Sequence, residues 1–182
     1  MRGPMAHEAF VLPPCGWVPN NGRLPVIVYR GAVGTSNDGA DRTAEAFEAL
    51  FAHNGWPPQW RNGVFAFHHD HATTHEVLGV AAGQARLLLG GPGGRDIAAA
   101  SGDVLLLPAG TGHRLLAASP DFLVVGAYPP GCRFDLCRAA PDPAAHARMD
   151  ELAVPTTDPV AGDDGPLVRL WSPRTDTVET GT

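Results

Sequence analysis

Cysteine is scarce and odd in number. Cys15, Cys132 and Cys137 are the three thiols in 182 residues, which argues against a disulfide framework and for unpaired thiols in a reducing, cytoplasmic setting. Cys132 and Cys137 stand too far apart for a CxxC redox or zinc pair. No window approaches the run of about 18 apolar residues that a membrane span needs. The opening MRGPMAHEAF lacks the apolar segment of a secretory signal, and Met5 offers an alternative start. Excess positive charge is also missing: the formal net charge is -6, so the surface should repel nucleic acid and anionic membrane. No internal repeat is found, which leaves one unit rather than two.

What is plentiful points towards β-structure. Glycine (22) and proline (18) favour many turns and short strands over long helices. A hydrophobic fraction of 44% is ordinary for a globular protein, and the length suffices for one domain with a good-sized core.

Chemistry concentrates in residues 63–83, GVFAFHHDHATTHEVLGVAAG, which hold four histidines and a glutamate. Taken as a strand over residues 64–71, this segment puts Phe65, Phe67, His69 and His71 on one face, so two imidazoles converge. A turn through Ala72-Thr73-Thr74 then leads into a second strand, 76–82, from which Glu76 can reach the same point while His75 faces away. Residues 102–113, GDVLLLPAGTGH, read as a strand buried on both faces, followed by a tight turn that delivers His113. His69, His71, Glu76 and His113 would supply three nitrogens and one oxygen. That set suits one divalent transition ion (iron, manganese, nickel or zinc) and leaves positions open for other ligands. Without a cation, burying these groups would cost about 1–3 kcal/mol each. Period two excludes His68 from the set unless the strand is bulged, giving it a surface or outer role. Asp70 and His75 are candidates to orient the ligands or to lie on the surface.

The two stretches resemble the two cupin motifs. The first pattern, G-x5-H-x-H-x3,4-E-x6-G, is met at Gly63, His69, His71, Glu76 and Gly83. The second, G-x5-P-x-G-x2-H-x3-N, is met at Gly102, Pro108, Gly110 and His113, with Ala117 in place of the last Asn, which is not a metal ligand in the family. Flanking text such as LPVIVYRG, THEVLGV, PAGTGHR and DPVAGDDGPL resembles the small bacterial cupins of the YjlB type. The resemblance implies an all-β fold: a single cupin (double-stranded β-helix, or jelly-roll) barrel with an N-terminal arm and one or two short flanking helices. It also implies that the arm pairs with a partner subunit in a homodimer.

On this basis the chain divides into an arm and edge strand (1–40), a flanking helix and loop (41–60), the barrel core with both motifs (61–130) and a C-terminal extension (131–182). Within the arm, residues 24–29 read as a strand. Ala44, Phe47, Leu50 and Phe51 repeat at helical spacing over 41–53, with Asp41 as N-cap and Gly55 as the stop. Trp56 and Trp60 read as loop clamps beside the prolines. Strands are expected at 64–71, 76–82, 84–90, 95–99, 103–107, 113–118 and 122–128. The tetrad Gly91-Pro92-Gly93-Gly94 precedes a strand and lacks the Lys-Ser/Thr ending of a phosphate loop, so it reads as a hairpin turn. Residues 144–152 read as a short helix, 154–166 as coil, 167–171 as an edge strand or docking segment, and 172–182 as a disordered tail.

Phe65, Phe67, Gln84, Arg86, Leu105 and Tyr128 are candidates to line a substrate pocket. The functional expectation is a metal-dependent oxidoreductase of dioxygenase type acting on a small oxygen-rich molecule, with Glu76 also able to serve as a base. Metal-dependent isomerases and decarboxylases share the ligand set by resemblance, and a non-catalytic binding cupin is the contrasting class.

Overall fold

The computed structural model describes residues 5–35 and 39–172. The expected disordered tail, Ser172 apart, falls outside them. Nine strands form two antiparallel sheets: β1 (His7–Phe10), β2 (Val26–Tyr29), β3 (Pro58–Asn62), β4 (Glu76–Ala82), β5 (Gln84–Leu89), β6 (Arg95–Ala100), β7 (Val104–Leu107), β8 (His113–Ala118) and β9 (Leu123–Ala127). Three helices, α1 (Ala40–His53), α2 (Pro143–Glu151) and α3 (Pro166–Leu170), flank them. The larger sheet runs β1-β2-β7-β4-β9-β3 and the smaller β6-β5-β8, an all-β jelly roll.

The central strands β2, β7 and β4 of the larger sheet are buried on both faces, and period-two alternation sorts their side chains. Val26, Val28, Leu78, Val80, Leu105 and Leu107 face the smaller sheet and meet Leu87, Leu89 and Ile97 there. Ile27, Tyr29, Val77, Leu106 and Val125 face outward, where Phe47 and Phe51 of α1 and Leu167 and Trp171 of the C-terminal segment cover them. This explains why VIVY, VLLL and EVLGVAA are apolar at nearly every position. Glu76 shares the inner face with Leu78, and Tyr128 shares it with Val124.

The C-terminal segment is anchored by one buried carboxylate. Asp158 accepts hydrogen bonds from the Tyr29 hydroxyl and from the backbone N–H groups of Val160 (2.8 Å), Ala161 (3.0 Å) and Leu167 (2.9 Å). Trp171 adds a bond from Nε1 to the Pro25 carbonyl at 2.9 Å.

Several sequence expectations need correction. Residues 64–71 are not a continuous strand. Leu115 N–H bonds the Phe65 carbonyl and His113 bonds His69, so the segment carries two extra residues opposite β8 and bulges over 66–68. Strands β1 and β3 were not anticipated. β3, PQWRN, opens on proline and is mostly exposed, as an edge strand can be. Residues 166–170 form a short helix begun by proline, so of the two expectations for 167–171 the docking segment holds and the edge strand does not. Asp41 does not cap α1: Gly39 occupies that position without a side-chain bond, and Asp41 sits in the first turn, 3.3 Å from Arg61. Residues 7–10 pair with β2 of the same chain. Among the described residues, no helix is long and apolar enough to cross a membrane.

Candidate metal centre

Three imidazoles meet at one end of the sandwich. His69 and His113 are opposed across a bridge, with His113 N–H to the His69 carbonyl at 2.9 Å and the reverse bond at 3.2 Å. Asp70 pairs with Cys137 in a second bridge (3.0 and 2.9 Å), and the His71 carbonyl accepts from Gly110 N–H at 2.9 Å. These bonds hold 69–71 extended, so His69 and His71 face the same interior while the rest of the segment bulges. His113 follows the Pro108–Gly112 turn, which the N-terminal arm pins. Asn20 accepts from Gly112 N–H (3.1 Å) and donates to the carbonyls of Pro13 (2.7 Å) and Gly90 (3.0 Å). Only glycine fits at 112, because a Cβ there would stand 2.3 Å from Val18.

One donor atom from each of His69, His71 and His113 lies within 4.8 Å of the others, and all three rings are buried. Their tautomers are fixed from behind. Nδ1 of His69 faces the Phe67 carbonyl (3.1 Å), Nδ1 of His113 faces the Thr111 carbonyl (3.0 Å) and Nδ1 of His71 faces the Asp135 carbonyl. A carbonyl cannot donate, so each Nδ1 carries the proton and each Nε2 turns inward, the state a metal requires. Glu76 stands on the His71 and His113 side, with Oε2 3.4 and 3.2 Å from their Nε2 atoms. Its Oε1 accepts from the Tyr128 hydroxyl at 3.0 Å, whereas Oε2 is buried with no hydrogen-bond partner. Three inward nitrogens, two of them 3.4 and 3.2 Å from a carboxylate oxygen without a hydrogen-bond partner, could hold a metal ion.

The electrostatics agree with that fit. Burial would raise the Glu76 carboxyl, but His71 and His113 hold it below the usual carboxylate range. Burial likewise lowers His71, yet Glu76 and Asp135 outweigh it and lift the ring to about 9. Burial and the nearby His113 push His69 down to about 3. Without a cation, a proton on His71 balances Glu76. Burial and the Glu76 charge push the Tyr128 phenol above its ordinary range, so it stays protonated.

Tyr128 is itself held by Trp60 of β3, whose Nε1 donates to the phenol oxygen at 2.8 Å. Trp60 reaches it by lying across Gly126 of β9, where any Cβ would fall 2.1 Å from the indole. The cavity over the histidines has a volume of about 470 Å³. Its apolar walls are Trp60, Val64, Phe65, Leu78, Tyr128 and Phe134, and Gln59 and Asn62 stand among them. Phe134 stacks on Tyr128 (centroids 5.4 Å apart) and meets His71 edge-on at 5.5 Å.

The remaining candidates lie elsewhere. Phe67 stacks on Phe65 and carries Arg138 over its ring at 3.8 Å, outside the cavity wall. Leu105 is fully buried between the sheets. Gln84 and Arg86 lie exposed on β5 beside a separate open depression shared with Arg30, and Arg86 pairs with Asp96. His68 accepts from Gly91 N–H at 3.1 Å. His75 packs on Trp171 (4.8 Å) and accepts from Ala109 N–H at 2.9 Å. Asp70 is buried beside the site, and burial lifts its carboxyl to about 7. Phe134 and Asp135 were not anticipated; they lie in a segment without strand periodicity, and no spacing signal marks them.

No family model matches the chain. It is similar to an uncharacterized protein of Bacillus subtilis (strain 168), YjlB: 34% of 166 residues are identical, spanning 90% of this chain and 96% of that protein.

Proposed function

The chain belongs to the family of YjlB, and we propose that it is a metal-dependent cupin of the dioxygenase type, acting on a small oxygen-rich organic molecule. His69, His71, Glu76 and His113 would hold the ion. The observation that carries this is the buried Glu76 Oε2, without a hydrogen-bond partner, facing imidazoles whose Nδ1 protons are all committed to carbonyls. A divalent ion held there would act as a Lewis acid and, if redox-active, could engage dioxygen.

The protein's own groups favour oxygen chemistry over proton shuttling. Tyr128 commits its proton to Glu76, which leaves Glu76 Oε2 as the carboxylate oxygen turned towards the histidines. Among the described residues no further acid or base lines the cavity. Trp60, Phe65 and Phe134 shield the centre from bulk water, and Gln59 and Asn62 offer amides to a substrate oxygen.

Dioxygen uptake and product profile test the proposal, using iron, manganese, nickel and zinc forms against diketones, thiols and dicarboxylates. Uptake with an oxidised product in the iron or manganese form supports it. A product without uptake points to the isomerase or decarboxylase class. Metal binding with neither uptake nor product, in any form, points to a binding cupin.

A further inference from the structure

We infer that the cavity is built for a singly charged chelate with a flat apolar body, such as the enolate of an aryl 1,3-diketone, and against dicarboxylates. This rests on the metal centre proposed above and adds the class of ligand. Charge balance decides the first half. A divalent ion opposed by the Glu76 carboxylate leaves one net positive charge in a buried site. A ligand that gives up one proton on binding neutralises it. A dicarboxylate would leave a net negative charge that needs a cationic side chain, since an unpaired buried charge is costly. Among the described residues no arginine lines the cavity, and the sequence contains no lysine at all. Arg86, on the strand after the first motif, is exposed and paired with Asp96 away from the cavity, and neither Arg61 nor Arg114, beside the motifs in sequence, is among the lining residues.

The walls decide the second half. Phe134 and Phe65 are each 49% exposed although both line the cavity. They therefore present ring surface that nothing in the described chain covers. Trp60 and Tyr128 hold each other fixed through the indole–phenol bond, and Phe134 stacks on Tyr128 with centroids 5.4 Å apart, so these three rings form one fixed aromatic wall. A flat ring entering over the histidines would pack on the uncovered ring surface of Phe134 and Phe65, a contact that adds affinity beyond burial alone. The two amides, Gln59 and Asn62, can bond neutral oxygens but cannot balance a second negative charge.

The test is calorimetric titration of the zinc-loaded protein, whose ion has no redox chemistry, with 1-phenyl-1,3-butanedione, 2,4-pentanedione and oxalate. The aryl diketone should bind at least about tenfold more tightly than oxalate, and Phe134→Ala should weaken it about tenfold. Arg86→Ala, on an exposed strand away from the cavity, should leave zinc content and the binding of both diketones nearly unchanged. Gln59→Arg, an exposed position that tolerates the change, should raise oxalate affinity several-fold. Equal or tighter binding of oxalate by the parent protein, or no binding of the aryl diketone, overturns the ligand class while leaving the metal centre standing. Failure to bind zinc overturns both.

Discussion

Truncating His113 should uncouple zinc from stability without dismantling the site's backbone. The His113 side chain places Nε2 3.2 Å from Glu76 Oε2, yet its N–H and C=O pair with His69 through the main chain. His113→Ala therefore removes a nitrogen and keeps the bridge. Zinc present at about 100 times its Kd should stabilise the parent by about 2.7 kcal/mol. At about 2–4 °C per kcal/mol for a chain of this size, that is a rise in Tm of about 5–11 °C. Groups that merely orient a ligand are worth about 10–100-fold in affinity, so losing a ligand should cost on the order of 100-fold or more. The same zinc concentration then roughly equals Kd, and the gain shrinks to about 0.4 kcal/mol, or about 1–2 °C. Emptying a buried ring position will by itself lower the metal-free Tm, by about 2–5 kcal/mol in stability. The comparison is therefore the zinc-induced shift within each protein, read by differential scanning fluorimetry after chelator treatment. Arg86→Ala, on the exposed face of β5, is the control and should keep the full shift. A full shift in His113→Ala would show that zinc binds elsewhere.

Three further outcomes follow from the same contacts. Tyr128→Phe deletes the 3.0 Å bond to Glu76 Oε1, which should cost the metal-free protein about 1.5–3 kcal/mol; an unchanged urea midpoint would deny that bond its weight. His71, raised to about 9 by Glu76 and Asp135 against the effect of burial, carries a proton at pH 7 that zinc must displace. Calorimetry in buffers of different ionisation enthalpy should therefore detect at least about one proton released, with affinity weakening about tenfold per pH unit below 9; zero release would count against the pairing. Asp158→Ala strands the hydroxyl and three N–H donors that now meet its carboxylate. It should cost about 3–5 kcal/mol and expose residues near 158–171 to limited proteolysis; a protease-resistant variant would contradict that anchoring role.

The jelly roll was legible because its central strands carry their instructions locally. Period-two runs such as VLLL and EVLGVAA, punctuated by glycine pairs and Ser-Pro-Asp, mark β4 to β9 to within a residue or two. The edge strands β1 and β3 were not legible. They are short, half exposed and polar, and their pairing is decided by the neighbour they meet rather than by their own pattern. Period two over residues 69–71 puts His69 and His71 on one face, and their rings do lie together with that of His113. The same rule failed over 64–68, where the two-residue bulge is set by β8 across the gap. Phe65 reaches the cavity and Phe67 does not, a difference that no alternation rule could produce.

The carbonyls that orient the three imidazoles belong to Phe67, Thr111 and Asp135. A carbonyl carries no residue identity, so no motif could have announced them, and chain geometry rather than side-chain chemistry should govern their effect. Asp135 separates the two contributions. Its carboxylate holds Ala72 N–H at 2.8 Å and Thr73 N–H at 3.2 Å, while its carbonyl holds His71. Asp135→Asn keeps an acceptor oxygen and the carbonyl, so zinc affinity should stay within about threefold of the parent, well short of the loss expected when an orienting partner goes. Deleting Gly131, an exposed turn residue with open space where a Cβ would stand, should shorten the loop and pull the Asp135 carbonyl away from His71. That deletion should lower zinc affinity about 10–100-fold, measured by competition with a chromophoric chelator. Equal losses from both changes would mean that the carboxylate, not the placement of the backbone, holds His71 in its metal-ready state.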